Sequence, residues 1–146
     1  MTLPSKEMND PFCLQRFVDA QDSEYAEVRE ELKRGYKSSH WMWFIFPQIK
    51  GLGGSFMSKQ YAISSLEEAK AYLDHPILAP RLLECTRLVI AIQGHSIQEI
   101  FGYTDSMKFR SSMTLFSRAT SANSLFTTAL EKYFQGQPDP LTLERL

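Results

Sequence analysis

Six side chains of this 146-residue chain have the types and spacing to do chemistry on a small molecule: His40, Trp43, Gln48, Lys59, Lys108 and Ser112. The first four fall within residues 38–61. That stretch opens Ser-Ser-His-Trp-Met-Trp-Phe-Ile-Phe-Pro-Gln and carries Gly51, Gly53 and Gly54 further on. An imidazole moves protons in general acid–base work, which makes His40 the candidate catalytic residue. The competing reading is a histidine bonded to a backbone carbonyl that fixes the loop. Ser38 and Ser39 beside it do not make a triad, because no Asp or Glu lies near His40 in the sequence and a triad is defined by geometry. Trp43 offers a flat face on which a ring could stack, while Phe44, Ile45 and Phe46 read as core. Backbone amides of a Gly51–Gly54 loop can approach a phosphate, with Lys50 and Lys59 adding charge. The loop lacks the Gly-Lys-Ser/Thr ending of a P-loop, so a plain turn is its rival. Lys108 and Ser112 lie one helical turn apart and could grip one anion, against the reading of a solvated lysine. All six are expected to converge on one pocket of roughly 300 Å³ or more.

No metal pattern accompanies them. His40, His75 and His95 are widely spaced; His75, before Pro76, reads as a helix cap and His95 as a loop residue. Two cysteines, Cys13 and Cys85, make neither a disulfide framework nor a zinc site, and read as free thiols of a cytoplasmic protein. The cofactor, like the ligand, is unknown from the sequence.

The elements that must position these groups are helical. Tyr25, Val28 and Leu32 form one apolar stripe, with Glu24, Glu27, Arg29, Glu30, Glu31 and Lys33 assigned to its wet face and Gly35 as terminator. Asp10-Pro11 reads as the start of an earlier helix over residues 11–20. Residues 41–46 read as a short helical turn or, from their aromatic content, a strand. Ser65-Leu66-Glu67-Glu68 and Ser96-Ile97-Gln98-Glu99 have the capping-box form. Residues 80–93 are apolar nearly all round and so belong in the middle of a bundle. Thr104 or Asp105 is expected to cap a helix to residue 119, with Phe109, Met113 and Phe116 facing the core. Residues 125–134 form a further amphipathic helix, and Asp139-Pro140 starts a last turn. No β-α-β alternation appears. The predicted fold is all-α: an irregular bundle of about six to eight helices with one long aromatic and glycine loop. A flexible leader over residues 1–10 precedes a single domain over residues 11–146.

Composition limits the partners. Sixteen basic against seventeen acidic residues leave a net charge of −1, so no overall field draws nucleic acid or anionic membrane. Hydrophobic residues at 43% and charged residues at 23% fit a globular chain and exclude disorder. Residues 41–47, the longest apolar run, span about a third of what a membrane helix needs. The first ten residues lack the apolar run of a secretory signal.

The string from Lys37 to Gln48, with Gly51-Leu52-Gly53 and the later Ser106-Met107-Lys108 through Ser111-Ser112-Met113-Thr114-Leu115-Phe116, resembles a bacterial domain-of-unknown-function family, number 1810. Tyr61-Ala62-Ile63, Ala71 through Pro76 and Ile100-Phe101-Gly102 fit the same pattern, so the resemblance runs from about Phe17 to Leu146. It implies a mainly helical fold and supplies no activity. The calpastatin-like label of some members finds no support here, since calpastatin is a disordered inhibitor and this composition is globular. Two functions remain open. One is a small-molecule pocket for a flat or phosphorylated ligand, formed by residues 38–61 and the 105–119 helix. The other is a protein-interaction module with no catalytic site. Whether the chain is an enzyme, and its oligomeric state, are not legible in the sequence.

Overall fold

The computed structural model describes residues 10–121 and 124–146. Those residues form an all-α fold: α1 (Gln15–Asp22), α2 (Tyr25–Arg34), α3 (Met42–Ile45), α4 (Phe56–Gln60), α5 (Leu66–Asp74), α6 (Leu78–Ala91), α7 (Ile97–Phe101), α8 (Tyr103–Arg118), α9 (Leu125–Phe134) and α10 (Pro140–Leu143). Six of these ten run eight residues or longer and four are single turns. The count exceeds the six to eight expected because single turns such as α4 are too short to show a period. Apart from Asp10, the leader expected over residues 1–10 lies outside the described residues.

Caps set most helix starts. Ser96 and Glu99 form a complete capping box on α7. Ser65 caps α5 by accepting the Glu68 amide, but the Glu68 carboxylate turns to the Ser64 amide at 2.8 Å and the Ser64 hydroxyl at 2.7 Å instead of the Ser65 amide. His75 accepts the Ile77 and Leu78 amides on Nδ1 at 3.1 and 3.2 Å, so α6 begins two residues earlier than its apolar run suggests. Asp10 accepts the Leu14 and Gln15 amides at 2.7 and 3.0 Å, and a turn through Cys13 at φ 55° delays α1 to Gln15. Residues 41–46 hold the single turn α3, not a strand. At α8 the expected cap is wrong: the helix starts at Tyr103, directly after Gly102, and no side chain caps it.

The mixed helix α8, not the apolar α6, holds the centre. It packs on α9, α7, α5 and α10, and eight of its residues are buried, among them Ser106, Ser111, Ser112 and Thr114. Hydroxyls on a helix can be buried when they bond back to a carbonyl of the preceding turn. Ser106, Ser111 and Thr114 do so, to Tyr103, Met107 and Arg110. On α6, by contrast, Leu83, Leu88 and Ile90 are only partly covered. Two aromatic runs cross the core. Phe17, Tyr72, Phe116 and Phe126 stack in sequence at 5.2 to 5.7 Å between centroids. Phe46 meets Phe109 edge-on at 4.9 Å, joining the 38–61 segment to α8. Gln21 is buried and satisfied, donating to the Phe44 carbonyl at 2.7 Å and the Tyr72 hydroxyl at 3.1 Å.

Candidate functional site

The start of the 38–61 segment is tied down by one carboxylate. Glu31 is fully buried, a correction to its assignment on the wet face of α2. It lies three residues after Val28 and beside Leu32, at the edge of the apolar stripe, and that was the available signal. Its Oε1 accepts the Ser38 amide at 2.8 Å, the Ser39 amide at 3.1 Å and the Trp41 indole N–H at 2.9 Å, while Oε2 accepts the Ser39 hydroxyl. Burial pushes the carboxyl upward, but the Ser39, Ser38 and Trp41 donors outweigh it and hold the group at about 2. The serines beside His40 therefore serve this anchor.

A charged chain runs from that anchor to α8. Lys37 Nζ meets Asp105 Oδ2 at 2.7 Å and stands 5.2 Å from the Trp41 ring centre. Asp105 Oδ1 lies 3.7 Å from Lys108 Nζ, which stands 5.0 Å from the Trp43 ring centre. Lys37 and Asp105 are not among the six candidates: Asp105 reads locally as a helix cap, and nothing in the chain order pairs it with the distant Lys37. Trp43 Nε1 and Ser112 Oγ are buried with no hydrogen-bond partner among the described residues. Ser112 is the exception on α8, since its neighbours bond back to the helix. Lys108 also lines a cavity of about 230 Å³ with Gln48, Leu52, Gly53, Met107, Asp139 and Leu141, while Trp43 and Ser112 do not line it.

Lys59 belongs to a different cavity. With Arg16, Lys50, Gly51, Gly53 and Glu68 it lines a space of about 580 Å³. The 49–63 loop is closed by Lys50 N donating to Ile63 O and Ile63 N donating to Gln48 O, both at 2.8 Å. Gly53 lines both cavities. The six candidates thus divide. Trp43 and Lys108 are in contact, Ser112 is buried one turn along from Lys108, and Gln48 shares the smaller cavity. Lys59 faces the larger one. His40 is exposed and lines neither. Among the described residues, no group of three or more His, Cys, Asp or Glu could hold a metal ion, and no helix is long and apolar enough to cross a membrane.

Residues 11–146 match the family described as "Protein of unknown function (DUF1810)". The chain belongs to that family. A solved structure, the conserved hypothetical protein Rv1873 from Mycobacterium tuberculosis, is 57% identical and superposes with a TM-score of 0.92. The alignment covers 94% of this chain and 98% of the mycobacterial one. Among functionally curated proteins none matches this chain. At that level of identity the all-α arrangement is shared.

Proposed function

We propose that this DUF1810 chain is a small-molecule-binding domain, with its site in the cleft between residues 38–61 and α8, and that its ligand is flat and anionic. The observation that carries the reading is the pair of buried, unpartnered polar atoms, Trp43 Nε1 and Ser112 Oγ, on residues flanking Lys108. Leaving each unpaired costs about 1–3 kcal/mol. A lysine resting on an indole for packing alone requires neither cost. Neither residue lines the adjoining cavity, so a ligand there reaches the indole N–H and the serine hydroxyl only when the Lys108 side chain swings off the Trp43 ring. Oxygens accepting from them would then offset the cost, with the ammonium opposing their charge. Leu52, Met107 and Leu141 give the mouth an apolar rim for a ring. At about 230 Å³ the space is smaller than a drug-sized pocket, so the ligand is a single ring with a carboxylate or phosphate. The reading is of binding, not turnover, because His40 is exposed and lines neither cavity.

Indole fluorescence of the intact chain tests this. Trp41 is buried on Glu31, so a response to added aromatic carboxylates or phosphates reports chiefly on Trp43. Trp43→Phe is expected to remove the response. Lys108→Ala is expected to weaken binding by roughly tenfold or more, the worth of a hydrogen bond to a charged group. Affinity unchanged in Lys108→Ala rejects the site.

A further inference from the structure

The larger cavity is a separate matter, independent of the Trp43–Lys108 reading. Its floor is a finished structure. The Arg16 guanidinium donates to the carbonyls of Phe12 at 2.6 Å, Cys13 at 3.0 Å, Gln60 at 3.0 Å and Ala62 at 2.8 Å, and to Glu68 Oε2 at 3.0 Å. That uses all five of its N–H donors and neutralises its charge. The other oxygen of Glu68 is held by Ser64. Arg16 therefore clamps the start of α1 to the end of the 49–63 loop and has no donor left for a ligand.

The unspent charge lies at the rim. Lys50 and Lys59 are exposed, and neither ammonium has an ion pair or hydrogen bond among the described residues. Arg145 adds a third cation against the loop: a Cβ on Gly51, at φ 99°, would stand 2.5 Å from its Nη1. Glu68 is the one carboxylate among the lining residues, and it is committed to Arg16. In a chain of net charge −1 this is a local excess of positive charge around a concave space. Ser58 adds a hydroxyl, and Pro11, Phe12 and Ala62 add an apolar wall.

We infer that this cleft binds a small organic phosphate, with the phosphate between Lys50 and Lys59 and an apolar ring against Phe12. Two ammonium groups and a hydroxyl match the charge and acceptors of a phosphate dianion. The volume, about 580 Å³, falls in the range of sites that enclose a ligand of nucleotide size. A concave space with two lysines at one rim favours a free phosphate ester over a nucleic-acid backbone, which would need a track of cations along the surface.

Isothermal calorimetry on the intact chain, with inorganic phosphate, adenosine monophosphate and unphosphorylated adenosine as probes, tests the inference. The nucleotide is expected to bind, phosphate to bind at least tenfold more weakly, and adenosine to give no heat. Lys50→Ala with Lys59→Ala is expected to weaken nucleotide binding at least tenfold, and raised salt is expected to weaken it as well. Both lysines are exposed, so the double variant keeps the parent unfolding midpoint. Lys108→Ala is expected to leave nucleotide affinity unchanged, which separates this site from the smaller cleft. No saturable heat from the nucleotide, an affinity the lysine variants do not alter, or equal binding of adenosine overturns the inference. A loss in Lys108→Ala equal to that in the double variant does so too.

Discussion

Glu31 shows how one side chain can set a loop. A buried carboxylate with four donors cannot be removed without leaving those donors unpaired, and breaking such a group typically costs about 3–5 kcal/mol. Its titration extends the point to pH. The folded carboxyl sits at about 2, below its ordinary 4.5, so its stabilisation is complete above the unfolded value and is lost as pH falls toward the folded one. The shift corresponds to about 3 kcal/mol. The urea midpoint of the parent is therefore expected to fall between pH 4.5 and 2. Glu31→Gln should be less stable at neutral pH and shed less on acidification across that window. Parallel pH curves for the two proteins would mean the anchor is not titrating. In the linear chain Glu31 is one of several acidic residues on a charged helix. Helical spacing sets it apart from Glu30 by placing it at the edge of the Val28–Leu32 stripe, but that the next segment crosses α2 there and supplies its four donors is a tertiary fact.

At the level of elements, local chemistry carried far. The cap on α7, the His75 turn and the Asp139–Pro140 start are set by bonds spanning a few residues, and each stands where its residue types imply. The join between α7 and α8 went unread because it depends on a backbone conformation. Gly102 takes φ 82° and ψ 166°, a region open essentially to glycine, and a Cβ there would meet nothing within 4 Å. The cost of Gly102→Ala is thus backbone strain alone, about 1–3 kcal/mol. Gly54→Ala also meets open space but at no positive φ, so it should stay within roughly 0.5 kcal/mol of the parent. Equal urea midpoints for the two variants would contradict the strain. The strand alternative for residues 41–46 lost for a related reason. Trp41, Phe46 and Phe44 must face different neighbours at once, and a single helical turn allows that.

At the level of the whole molecule, the 38–61 segment is built into the core. Phe46 is fully buried, with Trp41, Phe101 and Phe109 at 4.9 to 6.3 Å between ring centres. Phe46→Ala should cost about 3–5 kcal/mol and lower the melting temperature by roughly 10 °C. A loss below roughly 1 kcal/mol would mean that the segment only drapes over the bundle.

Periodicity, caps and composition determined by themselves that the fold is helical, where α5, α7, α9 and α10 begin, and that Phe46, Phe109 and Phe116 are core, because those properties arise between residues one or two turns apart. Tertiary structure decided that α8 holds the centre, since buried serines and threonines look polar until their bonds to the preceding turn are seen. It also decided that Lys59 and Lys108 face different cavities and that Asp105 joins Lys37 to Lys108. Meetings between side chains distant in the chain follow from how helices cross, and no local pattern encodes that.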